Sequence, residues 1–173
     1  MGTRQMNETD AAAVADAGPL IHLHEVKGLR LLLIFEAVSA PRTVWQEATQ
    51  AGRVPSDALQ ALANLMQVDD PPSDSEAHFA ELDAGERACL RLCRREKISL
   101  LLTDDLEARE AAREEGVTPV GTLGVVLRAC REERLTKEER LTKQEAEQML
   151  EALRDESTLF VRPVLVNRVI GQL

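Results

Sequence analysis

The chain has 173 residues, which suits one domain with a single core. It is rich in Leu, Ala and Val but has one Trp, three Phe and no Tyr, so an aromatic platform for stacking bases is not expected. Its formal net charge of −9 excludes attraction of phosphodiester backbones by bulk charge, so a nucleic-acid role needs local basic patches, bound metal, or both.

Residues 1–10 are polar, carry no signal-peptide core and read as a loose tail. The apolar run 11–15 reads as a buried strand that ends at Asp16, and Gly18-Pro19 is expected to break the chain before a short helix over 20–26. Residues 29–35 are strongly apolar and read as a helix under a sheet, followed by a brief strand over 37–39. Pro41 suits the first position of a helix over 41–51, and 57–66 is a further helix-like piece, with a strand end at Gln67-Val68. The clearest loop spans 69–75, with Pro71-Pro72 inside it.

A helix over 83–95 precedes the apolar run 98–102, which reads as a central parallel strand. A helix over 105–115 closes at Gly116, a short strand covers 117–120, and a helix covers 122–131. Strands alternating with helices indicate an α/β fold with a parallel sheet. Residues 132–143 read Glu-Glu-Arg-Leu-Thr-Lys twice, which is too short for a solenoid and reads as a local surface duplication. Thr142 and Glu145 form a capping-box pattern for a helix to about residue 153. The segment 163–173 reads as an amphipathic helix with Leu165, Val169 and Leu173 on one face. Three regions are expected: a tail over 1–10, the main domain over 11–131, and a helical extension over 132–173 that packs on the domain or on a second subunit.

Cys89, Cys93 and Cys130 are odd in number and sit in apolar helical patterns. They read as small buried residues in a reducing compartment, so a cytoplasmic protein without zinc or a membrane span is expected.

The acidic residues carry the chemistry. Asp16 ends the first strand, and Asp104 and Asp105 follow the strand 98–102 just after Thr103. In a parallel sheet these strand ends share the edge where α/β sites form. Clustered carboxylates repel unless they protonate or bind a cation, and Mg²⁺ or Mn²⁺ is the simplest answer. Glu86 shares a helix face with Cys89, Leu90 and Cys93, and Glu47 borders a packed face through Val44 and Ala51. Plain helix caps explain some of these acids equally well: Asp83 with Glu86, and Asp104 with Glu107, fit capping boxes. Asp16 has no local cap to make on this reading. His22, His24 and His78 fall in no base–nucleophile arrangement, and Arg42, Arg91, Arg94, Arg95 and Arg128 read mostly as a solvated face.

Five segments in order resemble PIN domains. They are Val-Ala-Asp16-Ala-Gly-Pro-Leu-Ile, Ala-Pro41-Arg-Thr-Val-Trp-Gln-Glu47, Leu-Asp83-Ala-Gly-Glu86-Arg-Ala, Leu-Leu-Leu-Thr103-Asp104-Asp105-Leu-Glu-Ala-Arg109 and Pro119-Val-Gly-Thr-Leu-Gly124. The match is nearest to the branch that resembles VapC-type toxins and ends in a Gly-Thr-Leu-Gly turn, and it covers roughly residues 12–130. The resemblance implies a three-layer α/β/α sandwich around a parallel sheet and a metal-dependent endoribonuclease. It implies catalytic positions at Asp16, Glu47, Glu86, Asp104 and Asp105. Mg²⁺ or Mn²⁺ falls to Asp16, Glu86 and Asp105, with Asp104 a close second to Asp105, and Thr103 and Arg109 support the carboxylates or an incoming phosphate. An RNA substrate, a small antitoxin over the acidic cleft and a homodimer follow from the same resemblance. A catalytically degenerate PIN-like interaction module is the other reading.

Overall fold

The computed structural model describes residues 12–73, 79, 81–132 and 140–173. The tail 1–10, His78, the end of the 69–75 loop and most of the tandem segment lie outside the described residues. In chain order the elements are β1 (Ala13–Ala15), α1 (Ala17–Glu25), a 3₁₀ segment (Leu29–Ile34), β2 (Val38–Pro41), α2 (Arg42–Thr49), α3 (Ser56–Gln60) and β3 (Leu65–Val68). There follow α4 (Ala84–Glu96), β4 (Leu100–Leu102), α5 (Leu106–Glu114), β5 (Thr118–Val120), α6 (Thr122–Arg131), α7 (Lys143–Asp155) and α8 (Pro163–Ile170).

The five strands form one parallel sheet in the order β3-β2-β1-β4-β5. β1 and β4 are fully buried, as their unbroken apolar sequences require of strands covered on both faces. Helices flank the sheet: α4 packs over β1, β2 and β4, and α6 packs against α1, the 3₁₀ segment and α7. This is the three-layer α/β/α sandwich. The chain winds outward from β1 to β3, then returns to place β4 on the other side of β1. The strand order therefore reverses between β1 and β4, and the crevice at their C-terminal ends is where open α/β sheets bind ligands.

Several local expectations change. Gly18-Pro19 does not break the chain, because α1 starts at Ala17 and both residues lie in its first turn, where Pro has no helical hydrogen bond to lose. The segment 29–35 is tighter than an α-helix, a 3₁₀ segment that ends as Phe35 turns extended. Pro41 is the last residue of β2 and the N-cap of α2 rather than its first helical residue. The piece 57–66 splits into α3 and β3. Asn64 anchors the split by donating from its side chain to the carbonyls of Leu32 and Phe35, both at 2.9 Å. In α8 only Val166 is buried, while Leu165 of the expected apolar face stays exposed.

The C-terminal helices share the main core. Ala146, Leu150, Leu153 and Val166 are buried in the same cluster as the sheet residues. α7 starts at the capping box between Thr142 and Glu145. Among the described residues no helix is long and apolar enough to cross a membrane.

α4 ends at Lys97, which holds a left-handed conformation (φ 55°) while Ile98 N–H donates to the Cys93 carbonyl at 2.9 Å. A side chain is strained there and glycine is not. Lys97→Gly is expected to raise stability by about 0.5–1 kcal/mol, read as a higher urea midpoint with an unchanged slope. A lower midpoint would show that the Lys97 side chain contributes more than its backbone strain costs.

Candidate metal centre

The register of β1 on β4 builds the site. Val14 pairs with Leu101 and Ala15 with Leu102, so Asp16 stands opposite Thr103. Asp16 N–H continues the ladder to the Leu102 carbonyl at 2.9 Å, and the Thr103 hydroxyl donates to Asp16 Oδ2 at 3.1 Å. Asp16 Oδ1 accepts the Ala17 N–H at 2.8 Å, so Asp16 is the N-cap of α1, contrary to the expectation that it has no cap to make. The strand passes directly into the helix, with no intervening loop to carry a separate cap.

Two other acids end helices in the same way. Asp105 caps α5 by accepting the Ala108 N–H at 2.9 Å, and its own N–H donates to Thr103 Oγ1 at 3.3 Å. Thr103, fully buried, therefore bridges Asp16 and Asp105. Asp83 caps α4 in a reciprocal box: Asp83 Oδ1 accepts the Glu86 N–H and Glu86 Oε2 accepts the Asp83 N–H, each at 2.8 Å. Glu47 comes from α2, which packs on α4. Gly85 permits that approach, since a Cβ there would lie 3.3 Å from both Glu47 Oε2 and Asp83 Oδ1.

The electrostatics show one cluster. Burial, and then the charges of Asp83 and Glu47, push the Asp16 carboxyl up to about 7 against the hydrogen bonds from Ala17 and Thr103. Burial, and then Asp83, Asp105 and Asp16, push Glu86 up to about 7 against its bond to the Asp83 N–H. Burial and Asp83 raise Glu47 as well. Asp83, read from the sequence only as a cap, thus faces Asp16, Glu47 and Glu86. Its signal was present in Leu-Asp83-Ala-Gly85-Glu86, where the small Gly85 leaves room for carboxylates on both sides.

Asp104 turns the other way, as consecutive residues of extended backbone do. Its carboxylate accepts the Thr122 N–H at 2.7 Å and the Thr122 hydroxyl at 2.6 Å, and it lies 2.8 Å from His22 Nδ1. It ties the start of α6 to α1. Arg109 donates to the Thr103 carbonyl at 3.1 Å, and burial lowers its pKa. Gly121 fits between them, because a Cβ there would lie 3.0 Å from Asp104 Oδ1 and 3.1 Å from Arg109 Nη1. Cys89 and Cys93 are buried free thiols against the carbonyls of Ala15 and Leu100.

The donor set fits a hard divalent cation: oxygen ligands only, two of them buried and raised to about 7 first by burial and then by the neighbouring carboxylates. Among the described residues no three acidic, His or Cys side chains converge on one point as they stand.

A parallel α/β sandwich with carboxylates gathered at its switch point, together with the family match that follows, makes this a nuclease-type fold. The family model described as a PIN domain, DUF3368, matches residues 12–173, and the chain belongs to that family of PIN domains. The match includes α7 and α8. No curated protein and no solved structure matches the chain significantly. PIN domains are generally nucleases and typically bind divalent metals.

The raised values set the pH dependence. Between about pH 4 and 7 the folded protein holds protons that the unfolded chain has released. The stability this contributes is full below about pH 4 and is lost as pH rises to about 7. Asp16→Asn, neutral and of the same shape, is expected to flatten the pH profile of the metal-free protein and stabilise it at neutral pH by a few kcal/mol. Urea midpoints in EDTA check this, and an unstabilised Asn variant would mean that the Asp16 carboxylate is compensated when ionised.

Asp104→Ala is expected to cost on the order of 1–3 kcal/mol through the lost tie to α6, while leaving Mn²⁺ affinity within a few-fold of the parent. Calorimetry that finds Mn²⁺ binding abolished with stability intact would make Asp104 a ligand instead.

Proposed function

We propose that this protein is a metal-dependent endoribonuclease that hydrolyses RNA phosphodiester bonds. The observation that carries the reading is the pair of buried carboxylates, Asp16 and Glu86, held near neutral pKa beside Asp105, Asp83 and Glu47 at the sheet's switch point. Asp16, Glu86 and Asp105 would hold Mg²⁺ or Mn²⁺, with Glu47 and Asp83 adding negative potential from α2 and α4. A bound divalent ion supplies neutralisation of phosphate charge and activation of water.

The chain's own groups prepare the site. The Thr103 hydroxyl and the Ala17 N–H fix both oxygens of Asp16, which removes the need to order that side chain on binding. The N-termini of α1, α4 and α5 all point at the cluster, and their positive ends offset part of its repulsion. Asp104 and Gly121 position the start of α6 beside the cluster. The resemblance to VapC-type toxins extends the proposal to a toxin of the cytoplasm, a homodimer whose small antitoxin covers the acidic cleft.

Calorimetry with Mn²⁺ on the parent and on Asp16→Asn tests the reading, together with cleavage of RNA. Micromolar binding with proton release near pH 7, lost in the Asn variant together with cleavage, is the expected result. Absence of Mn²⁺ binding in the parent would instead favour a degenerate PIN-like interaction module.

A further inference from the structure

The segment 159–162 and α8 enclose an open cavity of about 720 Å³ against the first turns of α5 and α6. Its wall is largely apolar, from Leu106, Leu123, Leu159, Phe160 and Leu165. Phe160 is 96% exposed and Leu106 79%, and both belong to this one apolar surface. Arg109 and Arg162 line the same cavity. Asp104 also lines the cavity, and Leu106 follows Asp105 directly, so it adjoins the carboxylate cluster. The cavity lies on the side to which Asp104 turns, next in the chain to Asp105.

The lining fits a nucleotide better than an apolar protein segment. A base offers two apolar faces and always arrives with an anionic phosphate. Asp104 offsets one of the two arginines of the lining, and an apolar segment would desolvate the second without a charge of its own to offer. A phosphate supplies that charge in the geometry guanidinium groups prefer. The volume lies within the ~300–1,000 Å³ of small-ligand sites, and a base enters such a cavity only when it is unpaired.

We propose that this cavity is a single-base subsite, in which Phe160 stacks one unpaired base of a single-stranded RNA while Arg109 and Arg162 hold the adjoining phosphates. The identity of the polymer rests on the nuclease reading above. A chain with three Phe and no Tyr builds no extended stacking surface, but one ring is enough for one base.

Binding is read apart from cleavage, by anisotropy of a fluorescein-labelled random single-stranded oligoribonucleotide on the Asp16→Asn protein in EDTA. Adding Phe160→Ala is expected to weaken binding about tenfold, with Phe160→Trp restoring it and Phe160→Leu not. Arg162→Gln is expected to reduce the slope of log affinity against log salt by about 1. A duplex of the same length is expected to bind without sensitivity to Phe160. Because the ring is exposed, none of these changes removes core packing. Single-strand binding that Phe160→Ala leaves unchanged overturns the subsite. If that variant also lowers the molar mass seen by light scattering, the face belongs to a second copy. Single strands held through Phe160 but never cut in Mn²⁺ leave the subsite standing and remove the nuclease reading. Cutting with binding indifferent to Phe160 does the reverse.

Discussion

Asp16 and Thr103 face each other across neighbouring parallel strands, and the site depends on that register. The ladder from Asp16 N–H to Leu102 and from Thr103 N–H to the Val120 carbonyl carries β1, β4 and β5 to a common edge. A slip of one residue would send the Thr103 side chain to the other face of the sheet and leave Asp16 buried without its hydroxyl partner. With the register held, α1 and α5 begin at that edge, and their N-caps point into one crevice. The completely buried apolar strands make such a slip costly, so the core that stabilises the sandwich also sets the geometry of the acids.

Helix capping and charge clustering are not competing explanations of these residues. Asp16, Asp83 and Asp105 each engage a backbone N–H with one carboxylate oxygen, and Glu86 returns the bond within its box. Capping fixes where each carboxylate stands. Burial of the capped ends, and then the repulsion between them, drives Asp16 and Glu86 toward neutrality. The protein tolerates this arrangement because the positive ends of three helices face the cluster, and because protons or a cation can neutralise what remains. Stability given up at the switch point is recovered across the apolar core beneath it, the usual division between a strained site and its scaffold.

On the proposed nuclease reading, an acidic protein must keep its carboxylates apart from the groups that meet an anionic polymer. Here the carboxylates occupy the crevice between β1, β4 and the adjoining helices, while Arg109 and Arg162 line a separate cavity together with Asp104. Asp104 belongs to neither set. It joins α1, α6 and the loop after β4 through His22 and Thr122.

Much of this was legible in the order of residues. The apolar runs that become β1 and β4, the alternation of strands with helices, and the capping signals at Asp83 and Thr142 are short-range features, and local physics decides them. The five PIN-like segments also located Asp16, Glu47, Glu86 and Asp105. Other features depended on packing at a distance. Asp16 proved to be a helix cap because β1 runs into α1 without a turn, so Gly18-Pro19 falls inside a helix. Asp83 joined the cluster because Gly85 lets α2 approach α4. Asp104 and Asp105, alike in sequence, were separated by the alternation of extended backbone and by the Thr122 partner that α6 brings from 18 residues away. The stripe of α8 that reads as buried lies partly open, because Val166 rather than Leu165 meets the core. Sequence determined which segments are apolar, which helices are capped and which acids are available. Tertiary structure decided which carboxylates share a crevice and which apolar side chains remain exposed, because both depend on distances between elements that no local pattern encodes.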